Sequence, residues 1–109
     1  MGEPRMTMPT RAVLAAFMAG PADEHYGLEV SEAAGLAPGS IYPILIRLEQ
    51  YGWLESRWED IDAHVEGRPA RRYYRLSEKG AQQVPQALAK ANRLSRRSAV
   101  NLRPEGGLA

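Results

Sequence analysis

Apolar side chains recur along this chain with two periods. Through residues 10–54 they return every three or four positions, the spacing that lines one face of an α-helix. Across residues 53–59 and 71–76 they alternate, as on a half-buried strand, and from Ser77 the helical spacing resumes. Gly20-Pro21, Gly35 and Gly52 punctuate the helical part, which predicts three helices, a β-hairpin and a last helix.

Thr10 reads as the N-cap of the first helix, with Val13, Leu14, Phe17 and Met18 on its core face. Residues 22–25 form a short polar link. A second, short helix runs from Tyr26 to Ala34, with Leu28 packing beside Tyr26 or Val30 and acids Glu29 and Glu32 outward. Only Leu36 and Ala37 separate Gly35 from Pro38, so two short helices meet at a tight turn, as in a helix-turn-helix. In the third helix, within residues 36–54, Ile41, Leu45 and Leu48 face the core and Ile44 widens that stripe. Ser40, Tyr42, Pro43, Arg47 and Tyr51 face outward. Pro43 fits a helix that starts at Pro38 with one hydrogen bond missing, or at Ser40 with none missing.

Leu54, Ser56 and Trp58 share one side of the first strand. Residues 60–70, with Gly67 and Pro69, form a loop, and RRYYRL (71–76) is the returning strand. Ser77 caps a final helix whose stripe is Val84, Leu88, Ala91 and Leu94, and Pro85 is expected to kink it. That narrow stripe has two uses: docking on the domain's own core, or pairing with the same helix of a second subunit. The fold class is therefore mainly α with a small β-hairpin: a winged helix-turn-helix plus a C-terminal dimerisation helix. The division expected is a flexible N-terminus (1–9), a winged domain (10–76), the dimerisation helix (77–97) and a flexible tail (98–109).

A length of 109 residues suits one domain and leaves no room for a large sensory domain. No cysteine is present, and His25 and His64 are the only histidines, so neither a metal site nor thiol chemistry is expected, nor any cofactor. His25 reads as a cap or surface group and His64 as loop. The longest uncharged apolar run, residues 12–22, is about half the roughly 20 residues of a membrane span. No membrane partner is expected, and the expected location is the cytoplasm. Glu59, Asp60 and Asp62 cluster in a loop with no nucleophile and base beside them, so an enzyme is not expected. The net charge of +1 conceals a local excess: Arg68, Arg71, Arg72 and Arg75 lie within eight residues free of acid.

A helix of this kind enters the DNA major groove with its N-terminal half against base edges. Ser40 and Tyr42 offer hydrogen bonds, Pro43 an apolar contact for a thymine methyl, and Arg47 a partner for phosphate or guanine. Arg68, Arg71 and Arg72 of the wing are placed for the minor groove or its backbone. The partners expected are thus double-stranded DNA, as a pseudo-palindromic operator, and a second copy of the chain. A small aromatic or hydrophobic effector would enter between subunits beside Phe17, Trp53 or Trp58; Trp53, Trp58 and Tyr74 are otherwise core or interface residues. The competing reading is a winged-helix module that binds protein without specific DNA binding.

Three stretches, HYGLEV (25–30), LAPGSIYPILIRLEQYGWLES (36–56) and GRPARRYYRLSEKG (67–80), resemble the PadR-type transcriptional regulators in order and spacing over residues 13–80. The resemblance implies a dimeric bacterial DNA-binding repressor, with Gly39, Tyr42, Pro43, Leu48, Gly52 and residues 72–76 at motif positions. It further implies the family's small subgroup, in which a single C-terminal helix builds the dimer. Two departures stand out: the second helix is short, ending in AAG, and the wing loop carries Asp62 and Glu66.

Overall fold

The computed structural model describes residues 2–102. Helix α1 (Met8–Met18) starts two residues before Thr10, because Thr7 is the N-cap and its hydroxyl accepts from the Thr10 N–H at 3.2 Å. Thr10 is buried instead, and Val13, Leu14 and Phe17 form the core face. The arm before α1 is anchored: Met6 packs on the core, and its carbonyl accepts from Arg11 Nε at 2.9 Å. Residues 8 and 9, expected in a flexible N-terminus, belong to the helix.

The link before the second helix is a strand, β1 (His25–Tyr26), which sequence periodicity could not reveal in two residues. Helix α2 (Gly27–Ala34) follows, with the Glu29 carboxylate accepting from the Tyr26 N–H at 3.1 Å. Gly35 closes it at φ 70°, a left-handed conformation that glycine adopts without a Cβ clash. The Leu36 N–H returns to the Ser31 carbonyl at 3.0 Å, and the Ser31 hydroxyl donates to the Leu36 carbonyl, which sets the turn into α3 (Pro38–Tyr51). Of the two starts the sequence allowed, the helix takes Pro38, so Pro43 lies inside it.

Three strands, β1, β2 (Leu54–Trp58) and β3 (Arg72–Leu76), pair antiparallel in the order β1-β3-β2, so the expected two-stranded hairpin gains an edge strand. Leu54 stands opposite Leu76 and Trp58 opposite Arg72, while His25 stands opposite Tyr74. The wing connection contains one helical turn, α4 (Ala63–Glu66), capped by Asp62, whose carboxylate accepts from the His64 N–H at 2.9 Å.

Helix α5 (Glu78–Leu102) continues as one helix through Pro85 and past Ser98, where a tail was expected; residues 103–109 lie outside the described residues. Its first turn crosses the start of β2, with Gly80 against the Trp53 carbonyl. Val84 and Ala87 enter a core shared with α1, α3 and the sheet, built on Phe17, Leu45, Leu48 and Trp53. Burial on this scale contributes about 2 kcal/mol for a side chain such as Val84.

Candidate nucleic-acid interface

The core stripe of α3 is Ile41, Ile44, Leu45 and Leu48, all buried, which turns Ser40, Tyr42, Pro43, Ile46 and Arg47 to solvent. Tyr42 is 46 % and Ile46 49 % exposed, large apolar surface turned to solvent. Tyr51, expected on the same face, turns back instead: its ring meets Trp53 edge-on at 5.1 Å and carries Lys79 Nζ 4.0 Å from its centroid. The reason is position, since Tyr51 lies in the last turn, above the entry to β2.

Tyr42 is oriented by what Gly27 lacks. A Cβ at Gly27 would lie 2.5 Å from Tyr42 Oη and 2.8 Å from Cζ, so the ring rests on the bare first turn of α2. The signal for this contact was the sequence HYG, a glycine opening a helix after an extended pair.

On the wing, arginine count overstates free positive charge. Arg68 grips Glu59 through two hydrogen bonds, of 2.7 and 3.0 Å, and Glu59 also accepts from the Arg71 N–H at 3.2 Å. The Arg68 guanidinium and then the Arg71 N–H hold the Glu59 carboxyl down to about 2. Arg57 forms a bidentate pair with Glu24 at 2.7 and 2.8 Å, which holds the Glu24 carboxyl below its ordinary value. Arg75 pairs with Glu55 at 2.7 Å, and Arg72 Nη2 lies 3.8 Å from Glu49. Among the described residues, Arg47 and Arg71 have no carboxylate partner. Arg71 is instead laid over the Tyr26 ring, 4.2 Å from its centroid. The acids were visible in the sequence, but three of the four, Glu24, Glu49 and Glu55, are brought to their arginines only by the packing of separate elements.

Trp58 is not a core residue: it is 62 % exposed, past the covered part of β2, with Arg72 5.0 Å over its ring. Between this wing strand and α3 runs a groove of about 600 Å³, with Tyr42 and Trp58 on its walls, Tyr74 inside and Arg71 and Arg72 at its edge. Burial pushes the Tyr74 phenol above its ordinary value. Of the α3 residues expected in the site, Tyr42 lines this groove with Arg68, Arg71 and Arg72, whereas Arg47 borders a separate hollow with Arg5, Thr7 and Thr10; Gly27, Ile46 and the Trp58–Arg72 stack went unread.

Within one subunit the three residues expected to line an effector pocket do not come together. Phe17 and Trp53 are fully enclosed in the core, where the Trp53 indole N–H donates to Gln83 at 2.9 Å, whereas Trp58 stands on the wing. The dimerisation stripe divides likewise. Val84 is spent on the chain's own core and Leu88 is partly packed there; Ala91 is half-buried and Leu94 is 51 % exposed. The period of the stripe is the same on both stretches, so it could not reveal where docking stops.

Helices α2 and α3 about a three-residue turn, followed by an arginine-bearing hairpin that shares a groove with α3, define a winged helix-turn-helix protein. Residues 22–86 match the Transcriptional regulator PadR-like family, and the chain belongs to it: this is a PadR-like transcriptional regulator. Its fold is similar to that of a PadR-like transcriptional regulator from Bacillus cereus, at 24% identity and TM-score 0.62 over 88% of this chain and 92% of that one. It is also similar to Bordetella bronchiseptica BpsR, whose DNA binding is regulated by 6-hydroxynicotinic acid, at 15% identity and TM-score 0.67 over 95% of this chain and 73% of that one. An S. aureus MepR variant bound to an oligodeoxyribonucleotide matches at 15% identity and TM-score 0.60 over 90% of this chain and 66% of that one. At these identities the likeness establishes the fold. No curated protein matches the sequence.

Proposed function

We propose that the protein is a homodimeric repressor that holds a pseudo-palindromic operator and releases it when a small molecule binds. The observation that carries the DNA part is the exposed half of α3: Ser40, Tyr42, Pro43, Ile46 and Arg47 project from a helix whose opposite side is locked into the core. A helix about 10–12 Å across fits a major groove about 12 Å wide. Ser40 and Tyr42 would then hydrogen-bond base edges or phosphates, Pro43 and Ile46 would pack on thymine methyls, and Arg47 would meet phosphate or guanine.

From the wing, Arg71 and Arg72 reach the backbone or minor groove. Arg68 contributes by shaping the wing through Glu59 rather than as a free cation. Exposed Leu94, with Ala91 beside it on the distal half of α5, supports pairing with a second subunit. Two copies of α3 would address half-sites one or more helical turns apart. Support for release comes from BpsR, whose DNA binding responds to an aromatic acid, and support for DNA as the partner from the MepR complex.

The test is selection of bound sequences from random duplex DNA, followed by a salt series on the selected site. Three phosphate contacts per subunit in a dimer predict a slope near −5 in log K against log salt, from about 0.9 per phosphate. Arg47→Ala and Arg71→Ala should each lower that slope by about 2 per dimer, one phosphate being lost per subunit. No DNA affinity even in dilute buffer refutes the proposal and favours a protein-binding winged module.

A further inference from the structure

We propose that the arm before α1 is a further DNA contact: Arg5 and Arg47 clamp the phosphate backbone of the strand that the wing does not reach. This deepens the DNA-binding reading above and rests on it. Arg5, Thr7 and Thr10 line one hollow of about 480 Å³ together with Arg47, Gln50 and Tyr51 of α3. The charged side chains on its walls are these two arginines, and no carboxylate lines it. Both arginines are exposed, and neither has a carboxylate partner among the described residues. The acid of the arm, Glu3, borders a different hollow with Gln83, Gln86 and Lys90 of α5.

The arm is held where Arg5 can act. Met6, the next residue, packs on the core, and its carbonyl accepts from Arg11 Nε. Arg11 Nη1 in turn donates to Ser95 Oγ at 2.7 Å, which ties this anchor to α5. The Thr7 hydroxyl donates to that of Thr10 at 2.9 Å. An arginine one residue from such an anchor loses less freedom on meeting a phosphate than one on a loose tail.

Helical geometry says which phosphates are met. Tyr42 and Arg47 lie about 140° apart around α3, so they occupy opposite flanks of its outer face, with exposed Pro43 and Ile46 between them. The wing, with Arg71 and Arg72, stands on the Tyr42 flank and the arm on the Arg47 flank. A helix about 10–12 Å across nearly fills a major groove about 12 Å wide, so a phosphate strand borders each flank. The wing answers one strand, and Arg5 with Arg47 answers the other. Arg47 is thereby a backbone contact and not a reader of guanine.

The experiment measures binding of the full chain to its selected operator, with single uncharged methylphosphonates placed in turn along each strand. Arg5 adds a fourth phosphate per subunit, so the salt slope should steepen from about −5 to about −7, and Arg5→Gln should return it to about −5. Arg5→Gln should also bind about tenfold more weakly per half-site, as for loss of one charge-assisted contact. A methylphosphonate that weakens the parent on the strand away from the wing should cost Arg5→Gln nothing further. Sequences selected by Arg5→Gln and by Arg47→Gln should keep the parent's consensus, because a phosphate carries no base identity. Lys90→Gln, an equal change of charge outside the hollow, should leave slope and affinity unchanged. An unaltered slope in Arg5→Gln, an undiminished methylphosphonate penalty in that variant, or a base position relaxed in Arg47→Gln overturns the clamp while the operator reading stands. A parent chain that binds no DNA sinks the operator reading and the clamp with it.

Discussion

Replacing Gly80 by alanine sets two physical effects of opposite sign against each other. In a helix, glycine to alanine ordinarily gains about 1 kcal/mol, and Gly80 has no left-handed backbone to forbid the change. The tertiary contact says otherwise. A Cβ there would lie 2.1 Å from the Trp53 carbonyl oxygen, 2.9 Å from its carbon and 3.1 Å from its Cα. All three are backbone atoms, so no rotamer change relieves them, and α5 has to withdraw from the start of β2 by about 1 Å or more to restore ordinary contact. Withdrawal weakens the hydrogen bond from the Ser77 N–H to the Trp53 carbonyl, 2.9 Å, and that from the Ser77 hydroxyl to the Gly52 carbonyl. Overpacking of this kind costs about 1–3 kcal/mol, and a lost hydrogen bond about 1 kcal/mol. Set against the helical gain, the net is a destabilisation of about 2 kcal/mol, or a fall in Tm of roughly 10 °C for a domain of this size. Thermal and urea unfolding followed by circular dichroism, at fixed protein concentration, measure it. Gly39→Ala is the control: nothing lies within 4 Å of a Cβ at that position, so stability should hold or rise by up to about 1 kcal/mol. A Gly80→Ala protein as stable as the parent would refute the close approach of α5 to β2.

Gly27→Ala should push the Tyr42 ring off α2 and weaken operator binding about tenfold, roughly 1.4 kcal/mol, in a mobility-shift assay; unchanged affinity would show that Tyr42 does not need this seat. The Glu59 carboxyl should titrate by NMR near 2 rather than at its ordinary 4.5. Its folded value is the lower one, so its contribution to stability is whole above pH 4.5 and fades as pH falls from there towards 2, a component that Glu59→Gln should remove from the acid unfolding profile. Leu94→Glu should convert a dimer to a folded monomer in sedimentation, whereas Val84→Glu, which places a charge in the core, should cost several kcal/mol and unfold the chain. A dimer that survives Leu94→Glu would move the interface elsewhere.

Much of this molecule is written locally. The stripe of Ile41, Ile44, Leu45 and Leu48 follows from helical geometry alone, and with it the outward direction of Ser40, Tyr42, Pro43 and Arg47. Gly35 and Gly52 end their helices where their positive φ requires glycine, and alternation in RYYRL sets which side of β3 is covered. Such features depend on neighbours within about four residues, so a single sequence carries them.

What only the tertiary structure decided are pairings between distant segments. Strand β1 exists because β3 offers an open edge beside it, not because two residues have a strand pattern. Alternation places Trp58 with Leu54, yet Leu54 is buried and Trp58 exposed, since the covering layer ends before the strand does. The last helix keeps one apolar period while Val84 meets the core and Leu94 meets solvent. Charge shows the difference most plainly: an arginine-rich wing reads as a cation, but Glu24, Glu49 and Glu55 reach Arg57, Arg72 and Arg75 across the fold. Periodicity specifies the face a side chain occupies; only the packing of separate elements specifies what waits opposite that face.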